Sequence, residues 1–276
     1  MYFIRFPGGL RKALTLSYDD GVEQDRQLIS ILRRHGLKAT FNLNSGCIPP
    51  EGTTYAPGTI HRRMPLSWCQ ETYAGEDIEV AAHCLTHASL TELTPPQIAH
   101  EVLKDRENLE RDFGGIIRGL AYPFGTYSDE VVQALRATGA AYARTVVSTR
   151  GFSIPTDWLR LHPTCHHDDP QLMALCERFL NAKVSFGSQL FYLWGHAYEF
   201  EANENWQVIE DFAAKMGGHE DIWYATNIEI VDYLNAAHQL RTSADGMTLH
   251  NPTTTAVWLS TEKAEVCVNA GETVSI

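Results

Sequence analysis

Short apolar runs recur along this chain, each ending at a polar cluster and each followed by a segment in which apolar residues return every three or four positions. That alternation of strand and helix signals constrains the fold to a mostly parallel sheet, open or closed into a barrel, with helices packed on it. Strands are predicted at 13–18 (ALTLSY), 38–43 (KATFNL), 78–82 (IEVAA), 118–122 (RGLAY), 141–147 (AYARTVV), 158–162 (WLRLH), 189–194 (QLFYLW) and 222–225 (IWYA). Helices are expected over 24–35, 95–113, 128–138, 169–182, 205–216 and 226–240. Pro95 and Pro96 suit a first helical turn, and Ser128 suits an N-cap.

Two stretches break the alternation. Residues 46–66 carry prolines and glycines and read as a long loop, a feature often tied to function. From about residue 246 the alternating runs TAVWL, AEVCV and TVSI predict a small antiparallel appendage, too short to bury a core of its own. The expected division is a main body over 1–243 and an appendage over 244–276 packed on it.

With 276 residues, 44% of them hydrophobic, the chain can bury a sizeable core. A formal net charge of −12 argues against a surface that tracks nucleic-acid phosphates. The start MYFIRFPGGLRK reaches Pro-Gly-Gly before an apolar leader could form, and no run is long enough to span a bilayer. These features predict a soluble, cytoplasmic protein. Six scattered cysteines without a CxxC pair are expected to be reduced thiols.

The polar clusters share one relation to the predicted strands. Asp19 and Asp20, His83 and His87, Tyr122 to Gly125, His162 to His167, and His196 all lie at downstream ends. In a parallel sheet or barrel those ends share a face, where active sites are built. In HCLTH (83–87), two imidazoles four positions apart in a helical turn could face one ion at about 2.0–2.1 Å. Adjacent carboxylates in SYDDG (17–21) disfavour joint ionisation unless a cation is near. A turn at Gly21 would aim both inward, one to bind the ion and one to stay free as a base. The plainer readings are a solvated strand-end pair and ordinary histidines.

These motifs resemble the polysaccharide deacetylase family, carbohydrate esterase family 4, with its NodB homology domain. SYDDG stands where that family has TFDDG, HCLTH where it has H[ST]xxH, and LWGH (193–196) where it has LxxH. The resemblance implies an α/β fold, an irregular (β/α) barrel of about seven strands. It implies that Asp20, His83 and His87 hold a divalent metal, usually zinc, with Asp19 as general base and His196 as general acid. It further implies hydrolysis of N-acetyl groups on an amino sugar or polysaccharide. The third motif reads AYPFG, so Ala121 replaces an arginine that contacts the catalytic aspartate, and Arg144 or Arg160 could substitute. Tyr122, Pro123 and Phe124 then line the substrate or oxyanion site. Only TDW remains of the fourth motif, making Asp157 the candidate partner of His196. His166, in the His-rich stretch 161–169, could bind substrate, tune His196 or serve a second metal, or be part of a plain structural turn. The alternatives are a hydrolase of another amide, such as a cyclic one, and a carbohydrate-binding protein without turnover.

Overall fold

The computed structural model describes residues 2–262 and 264–276. After an N-terminal strand β1 (Tyr2–Arg5), the main sheet is built from β2 (Lys12–Asp19), β3 (Ala39–Leu43), β4 (Ile78–Ala82), β5 (Gly119–Ala121), β6 (Tyr142–Arg144), β7 (Cys165–His166), β8 (Gln189–Gly195) and β9 (Ile222–Tyr224). Its order is β6-β5-β4-β3-β2-β8-β7, all pairs parallel, with β9 joined to the lower end of β2 below β3. All eight residues of β2 are buried, as expected of a strand covered on both faces. The segment after β6 curls the sheet toward closure: Leu161 exchanges backbone bonds with Ala143 and Thr145, and Thr164 N–H donates to Tyr192. The protein is therefore an α/β fold with the curled parallel sheet of an irregular (β/α) barrel.

Eight helices surround the sheet among the described residues: α1 (Asp25–Arg34), α2 (Leu66–Thr72), α3 (Pro95–Phe113), α4 (Asp129–Ala137), α5 (Leu172–Leu180), α6 (Ala197–Ala202), α7 (Gln207–Met216) and α8 (Asn227–His238). Ser128 caps α4 by accepting from Val131 N–H at 3.2 Å. No described helix is long and apolar enough to cross a membrane. The short α2 and α6 escape sequence reading because neither is long enough to establish a helical period.

Two local expectations change. Residues 158–162 do not form a strand: Trp158–Arg160 make a 3-10 turn whose first N–H bonds are closed by Asp157, and only Leu161 bridges to β6. Pro163 follows and has no N–H to extend a ladder, so the strand position passes to β7. The appendage also recruits the start of the chain. It comprises β10 (Arg241–Thr242), β11 (Thr248–His250), β12 (Val257–Thr261), β13 (Glu265–Val268) and β14 (Thr273–Ser275), and β1 pairs antiparallel with β12. Residues 1–243 thus contain one strand of each of the two small antiparallel sheets, β1 and β10. Leu249, Val257, Leu259 and Val268 pack on Ala236 and Ala237 of α8. Tyr233 of α8 donates to Arg5 O and accepts from Trp258 N–H, tying the two strands to the helix.

One core carboxylate makes stability depend on pH. Asp25 is fully buried where α1 begins, accepts from Tyr73 OH at 2.6 Å and Val22 N–H at 3.1 Å, and is pushed up to about 8 by burial. The folded state therefore keeps a proton that the unfolded chain releases near pH 3.9, and stability from this group is lost as pH rises through the interval. Asp25→Asn should flatten that fall: urea unfolding between pH 5 and 8 should show the variant gaining on wild type by a few kcal/mol as pH increases.

Candidate active site

Asp19 ends β2, and the chain turns at once: Asp20 has φ +85° and Gly21 φ +69°. The sequence places this turn at Gly21, but the left-handed step begins one residue earlier, on an aspartate, a residue type that tolerates it better than most. As a result both carboxylates face one group of histidines. Asp19 Oδ2 lies 3.8 Å from His83 Nε2 and 3.7 Å from His196 Nε2, and Asp20 Oδ1 lies 3.9 Å from His87 Nε2. A Cβ at Gly21 would stand 3.1 Å from Leu43 Cδ2, so the turn packs closely as well as tightly.

Asp19 is held by a fully buried arginine. One Nη of Arg144 donates to both its oxygens, Asn42 Nδ2 donates to Oδ1 at 2.8 Å, and the guanidinium lies 4.5 Å from the Trp194 ring. Burial by itself would raise the Asp19 pKa; the Arg144 charge, with His83 and His196, outweighs burial and keeps it below the usual value. Arg144 thus occupies the role left open by Ala121. Arg160 does not: it pairs with Asp157 and Asp129.

His83 and His87 lie in a tight turn after β4, not in a helical one, with Cys84 and His87 at φ +65° and +58°. With Asp20 and Phe124, these make four of the six non-glycine residues of positive φ among those described. Strained backbone concentrates at functional sites. The support is specific. Asp105 of α3 accepts from His83 N–H at 3.0 Å and from Ser45 N–H at 2.7 Å, and Asn44 Nδ2 donates to the carbonyls of His83 and Cys84. His83 Nδ1 donates to Ala121 O at 2.8 Å, which leaves Nε2 with its lone pair on the side of Asp19. Burial pushes His83 down to about 4 and lowers His87, so both are neutral at pH 7. One donor atom each from Asp20, His83 and His87 lies within 4.8 Å of the others. Two neutral imidazoles and one carboxylate on one side of a pocket suit a zinc-type cation.

The long loop reaches this centre. Arg63 donates to Asp20 Oδ1 at 2.7 Å and His61 Nε2 is 3.2 Å from Oδ2, while Arg62 is bonded to Glu23 and Glu201. Burial opposes ionisation of Asp20, yet His61, His83 and Arg63 hold its pKa far below the carboxylate range. Both arginines thus fasten the loop. Nothing in the loop's composition signals this.

Of the remaining candidates, Phe124 is 66% exposed with its ring 4.5 Å from His87, and Pro123 is buried beneath it. Tyr122 points inward, its hydroxyl bonded to Leu159 O. Asp157 is not brought to His196. The carboxylate beside His196 is Glu199 of α6, 3.3 Å from Nδ1. Burial disfavours the charged ring, but Glu199 and Asp19 raise the His196 pKa above its ordinary value. His166 also meets Glu199, at 3.1 Å. Cys84 is buried, and burial raises its thiol well above the usual range.

The family profile described as polysaccharide deacetylase matches residues 8–143. YxkH of Bacillus subtilis (strain 168), which carries the provisional name of a polysaccharide deacetylase, is 24% identical over 129 residues, 46% of this chain and 42% of the relative's length. Among solved structures, a provisionally named polysaccharide deacetylase from Mycobacterium smegmatis superposes with a TM-score of 0.58 at 15% identity, covering 85% of this chain and 94% of that one. A mutant of a Bacillus anthracis CE4 family pseudoenzyme, described as having restored activity, has a TM-score of 0.50 at 17% identity, covering 83% and 70%. These two likenesses speak for the fold alone. Profile, relative and fold agree with the ordered motifs, and residues 8–143 of this chain belong to the polysaccharide deacetylase family.

Proposed function

We propose that this protein is a metal-dependent deacetylase that removes N-acetyl groups from an amino sugar or polysaccharide, working in a main body of about residues 1–243. The observation that carries the proposal is the meeting of Asp19 and Asp20 at the end of β2, His83 and His87 after β4, and His196 after β8 around one centre. Asp20, His83 and His87 would hold a divalent cation, zinc being the expected one, which when bound supplies Lewis acidity to the acetamide carbonyl and lowers the pKa of water.

The chain's own residues supply the rest. Arg144 keeps Asp19 ionised in a buried position, so Asp19 can take the proton of the attacking water. Phe124, whose ring lies against His87, would offer its backbone N–H as a donor for the developing oxyanion and its exposed ring as a face to a sugar. His196, its pKa raised through Glu199, delivers a proton to the departing amine. Acetate and a free amine leave.

Incubation with an acetylated chitooligosaccharide should release acetate, and Asp19→Asn should lower kcat/KM by about 10²–10⁴-fold while bound metal is retained. Bound metal with no acetate release would favour hydrolysis of a different amide. Neither metal nor release would favour a carbohydrate-binding protein. His87→Ala should abolish activity and weaken zinc uptake in equilibrium dialysis. Arg144→Met leaves Asp19 buried and unpaired, so it should cost about 3–5 kcal/mol in denaturant unfolding at pH 7, and less as pH falls and Asp19 takes up a proton. An unchanged unfolding midpoint would contradict the role given to Arg144.

A further inference from the structure

A second group of ligating side chains stands behind His196. Glu199 Oε2 lies 3.1 Å from His166 Nε2 and 3.2 Å from His167 Nε2, and Asp168 Oδ1 lies 3.4 Å from His167 Nε2. One donor atom from each of the four lies within 4.8 Å of the others. His167 is only 1% exposed, and neither of its ring nitrogens makes a hydrogen bond of acceptable geometry with the described residues. A buried imidazole left so is costly. Its ring is fixed by stacking on Phe200 at 4.1 Å and Tyr18 at 5.9 Å, and it fits only because residue 195 is glycine, where a Cβ would collide with Nδ1.

Angle, more than spacing, separates coordination from hydrogen bonding here. Around a tetrahedral ion with ligand bonds of about 2.0–2.1 Å, neighbouring donor atoms stand about 3.3–3.4 Å apart, and each partner lies off the axis of the other's lone pair. The Glu199–His166, Glu199–His167 and Asp168–His167 separations of 3.1, 3.2 and 3.4 Å, at angles that disqualify His167 Nε2 from hydrogen bonding, fit that arrangement, and the remaining donor pairs lie within 4.8 Å. We propose that His166, His167, Asp168 and Glu199 form a second divalent-cation site of zinc type, separate from Asp20, His83 and His87. Four protein donors complete a tetrahedron and leave no open position, the mark of a structural site. The ion would join the end of β7 to α6, whose N-cap is His196. Ligation of His166 through Nε2 puts its ring proton on Nδ1, so the present Asp168 N–H contact of 3.2 Å to Nδ1 is exchanged for the metal bond. The competing arrangement is a metal-free cluster in which the imidazoles share the carboxylate through protons.

None of this depends on the deacetylase reading. The test is zinc stoichiometry, measured by titrating chelator-stripped protein with Zn²⁺ against a chromophoric competitor, with circular dichroism to check folding. Wild type should bind a second equivalent. His87→Ala should retain one equivalent and show a zinc-dependent rise in Tm, and adding His166→Ala or Glu199→Gln to it should remove both effects. Because His167 is in the core, the less buried His166 and Glu199 carry the test. Folded His87→Ala protein that takes up no zinc would overturn the proposal, as would wild-type stoichiometry in both His166→Ala and Glu199→Gln. A single equivalent lost with His166→Ala but kept with His87→Ala would support this site and sink the one at Asp20.

Discussion

The ion pair between Asp19 and Arg144 is the constraint on which the rest of the site depends. Neither group reaches water to any useful extent, and each is tolerable in the interior only because the other is there. The arginine comes from β6, at the far end of the sheet order from β2, so the two charges meet only when the sheet has curled. The backbone on either side of Arg144 is in turn fixed, with Tyr122 N–H donating to its carbonyl and Leu161 bridging beside it. The electrostatic state of Asp19 is therefore a property of the closed wall and not of the SYDDG segment that carries it.

Much of the architecture was legible because burial on both faces leaves long apolar runs. β2, β4 and β8 lie within a residue of the stretches that their composition marks, and Pro95 and Ser128 mark the starts of α3 and α4. What escaped was local and had local causes. Residues 158–162 look like a strand, but Asp157 can close a turn and Pro163 cannot donate. At the site, the motifs identify Asp19, Asp20, His83, His87 and His196, and the structure gathers all five. The motifs do not identify the partners, because a partner is defined by position in space. Arg144 was one of two candidates on neighbouring segments. Arg63, His61, Asn42 and Asp105 carry no pattern at all, and Glu199 replaced Asp157 from a helix too short to foresee.

The arrangement around Asp20 and the one around Glu199 are similar in form. In each, a carboxylate at the edge of the pocket is enclosed by imidazoles, and its charge is strongly favoured despite partial burial. Asp20 has arginine help from the loop, whereas Glu199 has, among the described residues, histidines and a backbone N–H from His196. Asp19 and His196 lie between the two clusters, so proton positions on one side are felt on the other. Loop 46–66 adds a mechanical link: through Arg62, Glu201 and Gln24 it is fastened to α6, the same helix that presents Glu199. The loop, Asp20 and α6 form one connected assembly above the sheet.

The pairing of β1 with β12 carries a consequence for how the chain matures. Tyr2–Arg5 are synthesised long before Val257–Thr261, their strand partner among the described residues, so this ladder has a very large contact separation. Until that partner is made, Tyr2–Arg5 present an unsatisfied, partly apolar strand edge, the kind of surface on which nascent chains mispair and which chaperones shield. The barrel can assemble before them, but this edge is latched late.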